Sequence, residues 1–389
     1  MSKKNDMKSD WNPDSDDVKR DQVAAYDEMR ERCPVAHSEV RGWSVFRHAD
    51  VVQVLNDHER FSNQVSRHLS VPNGMDPPEH TVYRQIIEPY FASEPMAAFE
   101  PICRDIASDL LSEVAALGSD VEVMGDLAQH FAVRVQCAFL GWPTSLHEPL
   151  IRWANSHQRA TRDADRVALS ALARELDAIV DDLIEQRVQS GAKASDDVTA
   201  SLMHQTVHDR RLSNEEIGSI LRNWTVGELG TISASIGIFL QHLADNSAHQ
   251  DVVRRDRSRL PAAIDEILRV HNPLHGNRRT TTCPVKLGGR SIGAGERVYI
   301  NWIAANRDPF VFEDAASVKF DRNPNDNLLY GAGIHVCPGA PLARLEMRVF
   351  IEALMDRTTT FHLQPTSPAL PASFPASGYA TVRIFFHWK

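Results

Sequence analysis

Cysteine is scarce and scattered. Cys33, Cys103, Cys137, Cys283 and Cys337 are the only five in 389 residues. None forms a C-x-x-C pair and the count is odd, which argues against a disulfide framework or a zinc site and fits the reducing cytoplasm. No apolar run reaches the roughly 20 residues of a membrane helix. The opening stretch, MSKKNDMKSDWNPDSDD, lacks the apolar core of a secretion signal. Residues 1–16 read as a flexible N-terminal tail and residues 17–389 as one domain. Positive charge is not in excess either. A net charge of −10 leaves no basic footprint for nucleic acid. Repeats and low-complexity linkers are missing. What remains is a soluble, cytoplasmic, globular chain with no membrane partner, of ordinary composition at 42% hydrophobic and 24% charged residues.

Helical patterns dominate. Residues 17–32, 94–117, 164–189 and 198–203 have apolar positions at helical spacing. Residues 43–46 read as a strand. Ser213 and Glu216 have capping-box spacing, and the helix they start runs to about Gln241, roughly 40 Å at 1.5 Å per residue. From Val226 to Leu240 apolar residues lie on nearly all its sides, so its middle should be buried. Strands follow at 279–287 and 297–300, then a loop rich in Gly, Pro and Asn at 320–341. A helix at 342–355 and a last strand at 381–388 complete a chain that is mainly α with a smaller β part.

The most informative stretch is Tyr330-Gly331-Ala332-Gly333-Ile334-His335-Val336-Cys337-Pro338-Gly339. Gly331, Gly333 and Gly339 allow positive φ and close approach of the backbone to a flat ligand. Pro338 suits a first helical turn. Cys337 then sits at a helix N-terminus, where free N–H groups favour a metal-binding thiolate. An inert buried cysteine and a nucleophilic Cys/His pair are the competing readings. The convergence of glycines, histidine and helix start favours the thiolate, and no third group is evident to orient a nucleophile.

This stretch resembles the haem-binding loop of the cytochrome P-450 family, F-G-x-G-x-H-x-C-x-G, with Tyr330 where phenylalanine is usual. Further motifs follow the family's order from about Pro34 to the end. Glu266-Ile267-Leu268-Arg269 is similar to its E-x-x-R, and Arg322 to the later arginine that joins that pair. Taken alone, that spacing is an ordinary surface ion pair. Asp76-Pro77-Pro78-Glu79-His80 with Arg84 resembles D-P-P-E-H…R. By this resemblance His80, Arg84, Arg279 and His335 hold the haem propionates, and Cys337 ligates the iron of haem b (iron protoporphyrin IX). The implied fold is that family's single haem domain.

In Thr225-Val226-Gly227-Glu228-Leu229-Gly230-Thr231, two glycines inside a helix cost roughly 1 kcal/mol each. Tight helix packing is the plain explanation. In the family this place carries an acid–alcohol pair beside bound oxygen. Thr231 matches the alcohol, but Gly230 stands where the acid is usual. Glu228, three residues before Thr231, shares its face and is the candidate to take over proton delivery. The arrangement is similar to the haem domains of self-sufficient, reductase-fused bacterial members. A stand-alone enzyme is expected here, because residues 385–389 read as a completed strand.

The resemblance implies a monooxygenase that inserts one oxygen atom from O2 into a small organic molecule by hydroxylation or O-dealkylation. Electrons come from NAD(P)H through ferredoxin and ferredoxin reductase, and Arg344 and Arg348 are candidates to dock the ferredoxin. A hydrogen-peroxide-driven peroxygenase is the alternative, favoured by Gly230. A non-catalytic haem sensor is a third reading without a supporting segment. Val65, Leu69, Val71, Ala234 and Leu274 are the expected substrate contacts, in a mostly apolar cavity suited to an aromatic ligand.

Overall fold

The capping box at Ser213 starts the element round which the chain is arranged. Glu216 N donates to Ser213 Oγ (3.2 Å) and Ser213 N to Glu216 Oε2 (2.7 Å). In the computed structural model, which describes residues 9–374 and 376–389, the long helix spans Asn214–Asp245. Its 32 residues give about 48 Å, four residues longer than the sequence pattern predicts. Helices Gln129–Leu140, Arg166–Ser190 and Leu260–His271 pack against it. Residues 232–240 are buried throughout. Residues 226–231 are not: Val226 is 43% exposed, because this part of the helix forms the wall of a cavity.

A five-stranded sheet lies beside the helices, in the order Val35–Ser38, Gly42–Val45, Arg297–Asn301, Gly276–Thr281, Phe61–Ser62. Its one parallel contact joins Gly42–Val45 to Arg297–Asn301. A three-stranded sheet pairs Thr358–Leu363 and Asp120–Glu122 with Arg383–Trp388. The strand expected at 279–287 is two, Gly276–Thr281 and Val285–Leu287, interrupted next to Pro284, which has no N–H for a ladder. The first expected helix is likewise two, Asp16–Arg20 and Gln22–Arg32. Asp21 leaves helical backbone geometry to cap the second, accepting from Ala24 N (3.0 Å).

Part of the stretch expected to be a loose tail is anchored. Residues 1–8 lie outside the described residues, but residues 9–16 are held down. Trp11 is buried edge-on against Tyr26 and Phe46, and His37 N donates to Asp10 Oδ2 (2.7 Å). A polar neighbourhood hid one aromatic anchor. No helix among the described residues is long and apolar enough to cross a membrane.

Glu266 and Arg269, on Leu260–His271, are buried at 5% and 0% exposure, so the surface-pair reading is excluded. Arg269 Nε and Nη2 donate to Glu266 (2.7 and 2.9 Å), and Arg322 Nε reaches Glu266 Oε1 (3.0 Å). Lys319 N donates to the same oxygen at 3.0 Å. Arg269 Nη1 also donates to the carbonyls of Asn306 and Ala315. Replacing Arg269 by Met leaves buried acceptors without donors and is expected to cost about 3–5 kcal/mol, read from urea unfolding followed by circular dichroism. A loss below about 1 kcal/mol, the scale of an exposed pair, contradicts this account.

Candidate active site

The loop that presents Cys337 has almost no regular structure and is stitched by its own backbone. Gly331 N donates to Leu328 O (3.0 Å), Val336 N to Gly333 O (3.1 Å) and Cys337 N to Tyr330 O (2.9 Å). Gly331 and Gly333 have φ of +74° and +69°. A Cβ on Gly333 would lie 2.3 Å from the Leu55 carbonyl oxygen, so both conformation and space demand glycine there. Gly339 differs from expectation. Its φ is −79°, and it serves as N-cap of the following helix, Ala340–Arg357. The first turn of that helix holds Pro341, and Pro338 lies ahead of it.

Cys337 lines the cavity. Hydrogen bonds from the Gly339 and Ala340 amides lower its thiol pKa, but burial outweighs them and the net shift is upward. A metal cation bound there would hold the sulfur as thiolate, since a coordinating thiol is deprotonated outright.

To one side lies a cluster of cations and imidazoles. The His80 and His335 rings are 4.2 Å apart, and the Nε2 atom of each is buried without a partner among the described residues. Arg84 Nη1 donates to Val336 O (2.8 Å), anchoring it beside them. Arg279 is buried, with burial lowering its pKa to about 10. Burial first, then neighbouring positive charge, lowers His80 to about 4 and His335 to about 3. Unsatisfied donors pressed together suit a ligand with two carboxylates beside an apolar slot, which is the chemistry of the haem propionate edge.

The opposite wall is a polar stripe on the long helix. Trp224, Glu228, Thr231 and Ser235 recur at spacings of four, three and four, and all line the cavity. Thr231 Oγ1 donates to Gly227 O (2.6 Å). Glu228 meets Glu346 of the Ala340–Arg357 helix, and burial raises the pKa of both. The sequence reading missed Trp224, Ser235 and Glu346, although the stripe's helical spacing was there to be counted.

The cavity is about 560 Å³. Val65 and Leu274 line it as expected; Leu69, Val71 and Ala234 do not. The loop bearing Leu69 and Val71 is tied to the long helix: Leu69 O accepts from Ser219 Oγ and Arg222, and Val71 N donates to Ser219 Oγ. Those two side chains point into the core. Ala234 is only 6% exposed, on the buried side of its helix. Asn63, Ser66, Ser70 and Asn223 also stand in the wall, adding polar groups to a lining that is mostly apolar, as the sequence suggested. Arg344 and Arg348, the expected docking residues, are engaged in ion pairs. Arg344 pairs with Asp265 (3.0 Å) and covers the Tyr330 ring, and Arg348 pairs with Glu100 (2.6 Å).

The sequence profile of the family described as Cytochrome P450 matches residues 145–376. Erythromycin C-12 hydroxylase from Saccharopolyspora erythraea is 31% identical over 342 residues, 85% of each chain. Mycinamicin IV hydroxylase/epoxidase from Micromonospora griseorubida is 30% identical, over 85% of this chain and 87% of its own. CYP109E1 from Bacillus megaterium, solved with testosterone, superposes with a TM-score of 0.84 at 28% identity, covering 96% of this chain and 99% of that one.

Pro338 has no N–H to offer the sulfur, whereas Gly339 and Ala340 do. Pro338→Ala offers a further donor, which would make a Cys337 thiolate less electron-rich and is expected to raise the reduction potential of an iron held by it. Spectroelectrochemical titration checks this; an unchanged or lowered potential contradicts it.

Proposed function

The chain belongs to the cytochrome P450 family and is a haem b monooxygenase; from that premise we propose that it hydroxylates a small, multiply oxygenated organic molecule. The supporting observation is the arrangement of one cavity: Cys337 at its floor, the His80, Arg84, Arg279 and His335 cluster at its edge, and Thr231 in the facing wall. Bound haem b supplies O–O cleavage and oxygen transfer, favoured by thiolate donation. Cys337 holds the iron. The four basic residues hold the carboxylates and so fix the rotation of the ring. Thr231 offers a hydroxyl in the cavity wall, already oriented by its bond to Gly227 O.

The substrate class follows from the wall. Asn63 Oδ1 is buried with no partner among the described residues, and Ser66, Ser70 and Asn223 add polar groups beside Val65, Val226 and Leu274. An apolar body with several hydroxyl or carbonyl groups fits this better than a plain aromatic ring. The erythromycin and mycinamicin hydroxylases similar to this chain carry names of that chemical class. Electrons come from NAD(P)H through a separate ferredoxin and ferredoxin reductase in the cytoplasm.

A second reading, peroxide-driven oxygenation, is favoured by one observation: Gly230 leaves Thr231 without an adjacent acid. Turnover decides between them. Product formation with ferredoxin, reductase and NAD(P)H well above that with hydrogen peroxide supports the monooxygenase; the reverse supports the peroxygenase.

In Cys337→Ser the reduced CO complex is expected to lose the red-shifted Soret band of thiolate ligation, and retention of that band refutes the assignment. Glu228→Gln is expected to lower the product formed per NAD(P)H oxidised, by about a hundredfold if Glu228 is the sole acid. Unchanged coupling removes Glu228 from proton delivery.

A further inference from the structure

Glu346 is fully buried, and neither of its carboxyl oxygens has a donor among the described residues. Glu228 Oε1, one helical turn before Thr231, is also buried without one. The two side chains meet each other in hydrogen-bonding contact. No arginine, lysine or histidine among the described residues acts on either. The other titratable groups facing them carry no positive charge: the thiols of Cys103, from the helix Ser93–Leu117, and Cys337, and the phenol of Tyr330. Glu266 shows how this protein treats a buried carboxylate it keeps charged: two guanidiniums and a backbone amide surround it. The Glu228–Glu346 pair has none of these.

Two buried carboxylates in contact, with no cation beside them among the described residues, cannot both carry charge. A single proton resolves the conflict: the hydroxyl of one donates to the oxygen of the other. A pair kept only for packing needs no acid at all, since glutamine or leucine fills the same volume. The location argues otherwise. Glu228 opens on the cavity on the same helix face as Thr231, where Gly230 leaves the alcohol without its neighbour.

We infer that Glu346 is a positioning residue, whose carboxyl shares one proton with Glu228 and so keeps an acid, not a carboxylate, on the cavity wall beside Thr231. The pair stands on the burial, the missing donors and the contact of the two side chains; its catalytic consequence rests on the reading of Glu228 as a proton donor.

Burial raises both groups above the usual glutamate range, and the like neighbour raises Glu346 further, so the pair keeps its shared proton past that range. In the unfolded chain they ionise near about pH 4.3. The stability they lend is therefore complete below that pH and is lost as pH rises toward the folded-state values. The experiment uses holoenzyme of the wild type, Glu346→Gln and Glu228→Gln. Infrared difference spectra between H2O and D2O read the buried protonated carboxyl, and urea unfolding between about pH 5 and 8 reads the linked protons. Expected are a carboxyl band in the wild type at neutral pH, its loss or shift in Glu346→Gln, and a smaller fall in stability with pH in that variant. An unchanged band with an unchanged pH slope in Glu346→Gln overturns the pair. A lost band and flattened slope with unchanged product per NAD(P)H keeps the pair and overturns only the donor role of Glu228.

Discussion

Glu266 is the point on which the placement of Cys337 depends. A sulfur that must face a cavity at a fixed depth is carried here by some twenty residues with hardly any helix or strand. Such a segment has to be held from outside. Glu266 does this by accepting from Arg269 on its own helix, and from Arg322 and Lys319 N at the head of the cysteine segment. Arg269 spends its remaining donors on the carbonyls of Asn306 and Ala315. One buried carboxylate thus ties the helix Leu260–His271 to the residues that lead into the ligand loop, and low exposure keeps water from competing.

The two ends of the cavity treat charge in opposite ways. At the edge, Arg84 and Arg279 stand beside two imidazoles whose Nε2 atoms have no partner among the described residues, and burial lowers the basicity of Arg279 and both histidines. Where the long helix meets Ala340–Arg357, two acids are pressed together with no cation against them among the described residues. Between them the site has fixed positive potential where carboxylates belong and a neutral acid where proton delivery is needed. Thr231, bonded back to Gly227 O, sits on the boundary.

What could be read from the sequence was what is local in the chain. Glu266 and Arg269 are three apart, His80 and Arg84 four apart, and the glycines about Cys337 fall within one short loop, so their spacing already constrains the geometry. What was misread depends on distant partners. Leu69 and Val71 were placed in the cavity, yet Ser219 and Arg222, about 150 residues later, hold their loop the other way. Trp11 was taken for part of a tail because its anchors, Tyr26 and Phe46, are not its neighbours in sequence. Glu346 carried no signal because a lone glutamate in a helix is ordinary until Glu228 is set against it. Burial was misjudged for residues 226–231 for the converse reason: apolar side chains there face a cavity, and periodicity cannot tell a cavity from a core.

The single parallel contact in the larger sheet has a consequence for the order of assembly. It pairs Trp43 with Val298, and Arg279 lies on the next strand. Closing a loop of about 250 residues makes this a slow, late contact in folding. During synthesis the first strands must wait, edge exposed, until most of the polypeptide has left the ribosome. The basic edge of the cavity cannot exist before then, and Cys337 emerges later still. Cofactor capture is thus a terminal event of biogenesis, and the nascent chain has to survive without the ligand that completes its interior.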